Sequence, residues 1–263
     1  MNQHTSTGII SLITKREPVL RAVDADGIAK RELVEQLRVS RSTVDRGIRE
    51  LETAGLLRRS TDGYQRTLLG ELLLSEYDRL AGKTETLLTG RELLAELSPS
   101  FELEPIVFEN ATIVTPSQHA PQQPISAFCS LIENARWTQT VFPAVLPQVI
   151  DQWVELCDQS MIRADIILSE PVVSTMVSDY AESLGTLLAA SRLALHQVET
   201  TPSCGLVVAE SESTATAGIV VFDERGGTRA YIKTDAEEAV SWVRKRINDY
   251  LMQSTPLSEQ PIE

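Results

Sequence analysis

Two domains of different class are predicted along the 263-residue chain. The first is an α+β unit of three helices closed by a β-hairpin; the second is an α/β domain with a mixed sheet. Three observations predict this. Between residues 9 and 54 apolar side chains recur at helical spacing. Between residues 56 and 67 two short runs flank an Asp-Gly turn. Beyond Pro99 strand-like and helix-like segments alternate as far as Leu251.

The elements of the first unit follow in order. Ile9, Leu12, Ile13, Val19, Leu20 and Val23 form a helical stripe that Pro18 interrupts, and Asp24–Gly27 breaks it. Ala29–Leu37 is a short second helix with Leu33, Val34 and Leu37 on one face, and Val39-Ser40 makes the turn after it. Ser40 suits the N-cap of a third helix from Arg41 to about Ala54, because its hydroxyl accepts a free backbone N–H. Val44, Ile48 and Leu51 fall at i, i+4 and i+7 as the buried face of that helix, and Gly55 ends it. Leu56–Arg59 and Tyr64–Thr67 then read as two strands around Ser60-Thr61-Asp62-Gly63.

This succession is that of a winged helix-turn-helix, in which the second helix braces the third and the third enters a major groove. Arg41, Ser42, Thr43, Asp45 and Arg46 open the exposed face of the third helix, with Arg49 one turn on. Arginine suits the paired acceptors of guanine or phosphate, and hydroxyls contact either. Asp45 accepts from cytosine or orients a neighbouring arginine, the second use being preferred. Arg58, Arg59 and Arg66 of the hairpin are placed to clamp phosphates or reach a minor groove. With Lys30 at the start of the second helix and Ser40 at the cap, these residues, Asp45 apart, form the candidate DNA-binding set.

The run Lys30–Gly63, KRELVEQLRVSRSTVDRGIRELETAGLLRRSTDG, resembles the winged-helix domains of archaeal and bacterial regulators of the ArsR/MarR-like kind. The resemblance implies a transcriptional regulator with double-stranded operator DNA as partner. It departs from the metal-sensing members, because no Cys precedes Cys129 and His4 is the lone His before His119. No metal and no cofactor are expected.

The net charge of −13 is divided unevenly. Residues 1–98 carry 15 basic and 15 acidic residues, whereas residues 99–263 carry 9 and 22. Within 27–69 there are 9 basic to 6 acidic, the balance a phosphate backbone needs. Five Lys stand against 19 Arg, and an acidic, lysine-poor chain resembles proteins of salt-loving archaea; an Arg-rich genome is the alternative.

The expected domain limits are 1–69 for the DNA-binding unit, 70–98 for linker helices, 99–252 for the α/β domain and 253–263 for a flexible tail. The stretch from Gly70 to Leu88, then Arg91–Leu97, is either a connector packed on the first unit or a dimerisation helix, which suits paired half-sites. Pro105–Val114 reads as a strand, Ile125–Ala135 as a helix and Thr138–Phe142 as extended. Pro147–Gln159 is an amphipathic helix, Ile162–Leu168 a strand and Val172–Leu188 a helix. Strands at Leu193–Val198, Leu206–Glu210, Ala217–Phe222 and Arg229–Ile232 precede a last helix over Asp235–Leu251.

LPQVIDQWVELCDQSMIRADIILSE and GIVVFDERGGTRAYIKTDAEEAVSWVRKRINDYL resemble the effector domains of archaeal regulators, either the TrmB-like sugar-responsive group or the methanogenesis-regulator middle domain. The resemblance implies a domain that senses a small molecule or partner. The TrmB-type domain is related to the phospholipase D fold, so a DNA-tethered hydrolase is one rival reading and a protein-binding scaffold another. Against the enzyme, His119 and His196 lack a lysine and acid at motif spacing, and no GxGxxG, P-loop, GxSxG or HExxH occurs. The carboxyl ends of strands nominate Phe142-Pro143, Ser169-Glu170, Thr200–Cys204 and Asp223–Arg225 as ligand loops, with Trp137 and Trp153 lining an apolar pocket. Cys129, Cys157 and Cys204 are too far apart for a disulfide framework, so buried reduced thiols are expected, with redox sensing the alternative. No apolar run spans a bilayer and Met1–Thr7 is unlike a signal peptide, which predicts a cytoplasmic protein with no membrane partner.

Overall fold

The computed structural model describes residues 5–24, 26–97, 101, 103–158, 162–223 and 226–257. The side chain of Cys157, the second half of the Asp223–Arg225 loop and residues 258–263 of the expected tail lie outside this description. The chain divides into two compact units, Met1–Gly82 and Lys83–Glu263, and the division falls within the expected linker segment.

The first unit opens with α1 (Ser6–Ala22), α2 (Lys30–Leu37) and α3 (Arg41–Thr53), then β1 (Leu57–Ser60) and β2 (Gly63–Arg66), and continues into α4 (Leu68–Thr89). Pro18 does not break α1, contrary to the sequence reading. Val19 and Leu20 on the following turn are buried, and that packing outweighs the backbone bond the proline cannot donate. Leu12, Ile13, Leu20, Leu33, Val44, Ile48, Leu51, Leu56 and Tyr64 form one core. The end of α3 is closed as its sequence predicts. Leu56 N donates to Leu51 O at 2.9 Å and Gly55 N to Glu52 O at 3.0 Å, with Gly55 at φ +76°.

β1 and β2 pair antiparallel, Leu57 opposite Arg66, and Ile28 adds a third backbone pairing through bonds of 2.9 and 3.0 Å with Tyr64. α4 is fastened to α1 by a bidentate pair, Arg21 Nη1 and Nη2 donating to Asp78 at 3.2 and 2.6 Å.

The second unit holds one eight-stranded mixed sheet in the order β10-β6-β5-β4-β7-β8-β9-β3. In chain order the strands are β3 (Thr112–Val114), β4 (Trp137–Phe142), β5 (Arg163–Ser169), β6 (Leu193–Val198), β7 (Cys204–Glu210), β8 (Ala215–Phe222), β9 (Thr228–Thr234) and β10 (Thr255–Pro256). β4, β5 and β6 run parallel; the other pairings are antiparallel. α5 is Arg91–Glu96, α6 Gln123–Glu133, α7 Pro147–Asp158, α8 Glu170–Asp179, α9 Ala181–Ala189 and α10 Glu237–Leu251.

Alternation along β4 shows the two faces. Phe142 joins Phe128, Trp153 and Leu187 beneath α6, α7 and α9, while Val141 joins Val243 and Ile247 of α10. Central strands covered on both sides read as continuous apolar runs, and that is why they were legible.

Three expectations are corrected. Pro105–Val114 is not one strand: Pro105–Phe108 is a 3-10 turn that buries Val107 and Phe108, and the strand is confined to Thr112–Val114. Val172–Leu188 is not one helix: Tyr180, at φ −134°, leaves the helical region and packs on the core, dividing α8 from α9. The tail is not free at its start: Thr255-Pro256 pairs with β6, and Leu257 N donates to Leu195 O at 2.8 Å. Pro256 is tolerated because β10 is an edge strand.

Candidate nucleic-acid interface

The α2–turn–α3 segment is held by its own polar groups. Ser40 caps α3, its Oγ accepting from Thr43 N at 3.2 Å, and it shares hydroxyl bonds of 2.8 Å with Ser42 and with Thr43. The turn is made by Arg38 at φ 54°, an uncommon conformation for a side chain of that size. Arg38 is exposed beside the cap and was missed by the sequence reading.

Glu50 ties α3 to α1. Its Oε2 accepts from the buried Arg16 Nε at 2.9 Å and from Lys15 at 3.3 Å, and its Oε1 from Arg46 Nε at 2.9 Å. These bonds, Arg16 first, hold the Glu50 carboxyl at about 2, below its ordinary 4.5. A depressed carboxylate stabilises the fold above about pH 4.5 and loses that contribution as pH falls towards 2. Glu50→Gln is expected to cost about 1–3 kcal/mol at neutral pH and to flatten the loss of stability between those two pH values. Urea unfolding of both proteins at pH 7 and pH 3 measures it.

On the outer face of α3, Arg41, Ser42, Thr43, Arg46 and Arg49 are exposed, as expected. Arg41 and Arg49 have no ion-pair partner among the described residues. Arg46 pairs with Glu50 yet keeps 71% of its side chain exposed. Asp45 is corrected: it holds no arginine but accepts from Lys30 at 2.6 Å, because the start of α2 packs beside α3. That bond, with weaker attraction from Arg49 and Arg41, keeps the Asp45 carboxyl below its ordinary range and raises Lys30. Lys30 also lies 5.7 Å from the Tyr64 ring centre and Arg59 Cζ 5.9 Å, so this cluster joins the hairpin to the helices.

The hairpin arginines divide. Arg58 is exposed and bonds Gln65 at 3.4 Å, and Arg59 is 75% exposed with Glu52 at 3.7 Å. Arg66 does not join them. Its side chain is 13% exposed, its Nε lies 3.1 Å from Glu71 Oε2 outside hydrogen-bond alignment, and its stem rests against Gly70. Arg66 lies between β2 and α4, with most of its side chain buried there.

A family model described as the HVO_A0261 N-terminal domain matches residues 5–88. The model of the methanogenesis regulatory protein FilR1, middle domain, matches residues 121–253, half of the chain. The chain belongs to the FilR1 middle-domain family. The resemblance of its second part to a methanogenesis-regulator middle domain, read from the sequence, is thereby borne out. No curated protein sequence matches the chain. Among solved structures, the archaeal chromatin protein TrmBL2 is 14% identical, with a TM-score of 0.44, over 96% of this chain and 100% of its own. The phospholipase D family member Nuc from Salmonella typhimurium is 12% identical, TM-score 0.42, over 57% and 99%. NucT from Helicobacter pylori is 9% identical, TM-score 0.42, over 56% and 98%. Likenesses this distant assign this chain no activity.

Within the FilR1-type domain one small space lies at the nominated end of the sheet. The space at the carboxyl ends of β4 and β5 is about 40 Å³, lined by Phe142, Leu146, Trp153 and Leu168, and belongs to the core. Trp153 lines it, whereas Trp137 is half-buried with Arg244 Cζ 5.6 Å from its ring centre. His196 lies within β6, between Ile167 of β5 and Pro256 of β10, and His119 on an exposed loop. Among the described residues no cluster of three or more His, Cys, Asp or Glu could hold a metal ion. Burial pushes the thiols up, Cys129 to about 11 and Cys204 to about 12, so both stay protonated and poorly nucleophilic. No helix among the described residues is long and apolar enough to cross a membrane.

Proposed function

We propose that the chain is a DNA-binding transcription regulator, with a winged helix-turn-helix in its first 69 residues and an effector-sensing α/β domain over 99–252. One observation carries the reading. α3 presents Arg41, Ser42, Arg46 and Arg49 to solvent on a helix whose cap and Glu50 anchor leave it rigid. An anchored helix with exposed guanidinium groups, two of them (Arg41 and Arg49) without an ion-pair partner among the described residues, is the arrangement that reads base edges, and Arg58 and Arg59 on the hairpin add phosphate contacts. Lys30 and Ser40 act by positioning the helix, and Arg38 joins the contact surface. The match to the model of a methanogenesis regulatory protein supports the regulator class.

Selection of bound fragments from random duplex DNA by the full chain tests the reading. Enrichment of one sequence, with affinity falling steeply as salt rises, is expected. Uniform recovery of all fragments would overturn sequence specificity. A cytoplasmic, salt-adapted protein fits the acidic, lysine-poor composition.

The regulator acts as a homodimer in this reading. Leu69 and Leu72 of α4 are 50% and 57% exposed one turn apart, and Leu68 lies beside them, an apolar strip costly to leave in water. Leu69→Glu with Leu72→Glu is expected to give a folded monomer by light scattering and at least a tenfold loss of DNA affinity. A dimer of unchanged stability would remove α4 as the interface.

A further inference from the structure

The geometry points to a binding site for a small hydroxylated oxyanion, a carboxylate or phosphate ester, in a polar cavity at the β3 end of the second unit's sheet. Its regulatory consequence rests on the proposed function; the binding itself does not. The cavity measures about 520 Å³, within the range of small-molecule sites, and lies between α6 and strands β3, β7, β8 and β9. It opens at the end of β4 opposite to the one the sequence nominated. Thr112, Ser130, Asn134, Thr216, Lys233 and Asp235 supply its polar wall.

Lys233 sets the charge of the ligand. It is the one cation among the described lining residues, and no described residue forms an ion pair with it. That is notable in a domain of 9 cations and 22 acids, where Arg136, Arg229 and Arg244 each hold a carboxylate. Register places Lys233 opposite Thr112 of β3 on one side and Gly218 of β8 on the other. One ammonium flanked by Thr112 and Thr216 hydroxyls suits one oxyanion. Asp235, two residues on, accepts from ligand hydroxyls and disfavours a second negative charge.

Two hydroxyls lie behind the wall, neither of them on residues that line it. Thr138 Oγ1 and Tyr231 Oη are buried without a hydrogen-bond partner. Thr138 stands in register with Ala209, and Ala209 with Thr216, both of which line the cavity. Tyr231 Oη lies over Gly218, 2.7 Å from where a Cβ would stand, so glycine there lets the ring lean towards the Thr216 row. Buried hydroxyls left unpaired destabilise the free protein.

The full chain is titrated with glycerate, glycerol 3-phosphate and inorganic phosphate, at ionic strength fixed with potassium chloride, with glycerol as neutral control. Binding is read by calorimetry and melting temperature. At least one anion is expected to bind and raise the melting temperature with concentration, while glycerol does neither. Lys233→Met is expected to weaken that binding tenfold or more. Thr216→Val, which removes a lining hydroxyl, is expected to weaken it several-fold without lowering the melting temperature of the free protein. No binding by any of the three anions, or full affinity in Lys233→Met, would overturn the site. Duplex-DNA binding is measured separately by gel shift without the probes. Anion binding without DNA binding upholds the site and sinks the regulator reading; DNA binding without anion binding does the reverse.

Discussion

Arg41→Glu combined with Arg49→Glu is expected to weaken duplex-DNA binding by at least about 100-fold while leaving the melting temperature almost unchanged, since each lost contact is worth about 1–3 kcal/mol. Both residues are exposed on α3 and neither holds an ion-pair partner among the described residues, so reversal removes no bond of the fold. Surface changes of this kind stay within about 0.5 kcal/mol of stability. The chain has little reserve against the loss. Its net charge is −13, so attraction to phosphate depends on the local excess around α3 and the hairpin. The slope of log affinity against log salt is expected to fall by about 0.9 for each phosphate contact removed. Fluorescence anisotropy with labelled duplex at several salt concentrations reads both quantities. Equal affinity of mutant and parent at matched salt would remove α3 from the interface. Arg66→Ala provides the contrast, because its side chain is committed to Glu71 and Gly70. Its effect is expected on melting temperature first and on the salt slope hardly at all.

That contrast also shows what could be read from the chain. α3 was legible because its signals are local: Ser40 at the cap, Val44, Ile48 and Leu51 at helical spacing, Gly55 at the left-handed end. The burial of the Arg66 side chain was not anticipated although a local signal existed. Tyr64 and Arg66 are two apart on a strand, so they share a face, and Tyr64 is core. Lys30–Asp45 was not legible, since it joins two helices across a gap that no periodicity encodes.

The polar cavity was hidden for the same reason on a larger scale, its wall being drawn from segments as far apart as Asn110 and Asp235. The strand-end rule pointed to the other end of the sheet, where in its parallel half α7 and α8 close over an apolar core. β4 has an antiparallel neighbour in β7, and it is on that side, at the opposite end, that the sheet leaves room. Alternation alone gives neither sheet order nor strand direction.

Gly63→Val is expected to be the most damaging single change in the first unit, costing about 3–5 kcal/mol through backbone strain and a backbone clash. Gly63 sits at φ +132°, which side chains rarely adopt, and a Cβ built there would lie 2.2 Å from Ile28 O. That oxygen accepts from Tyr64 N at 3.0 Å, so the strand cannot yield without giving up the bridge that fastens the hairpin to the start of α2. Tyr64 would lose its buried place, and with it the ring over which Lys30 and Arg59 lie. Stability and DNA affinity should therefore fall together, in contrast to the α3 double reversal. For a unit of this size 1 kcal/mol corresponds to roughly 4–8 °C, so a drop of more than about 10 °C is expected by calorimetry. Asp62→Ala, on the exposed side of the same turn, should change the melting temperature little. A parent-like melting temperature in Gly63→Val would mean that the hairpin is not anchored through Ile28.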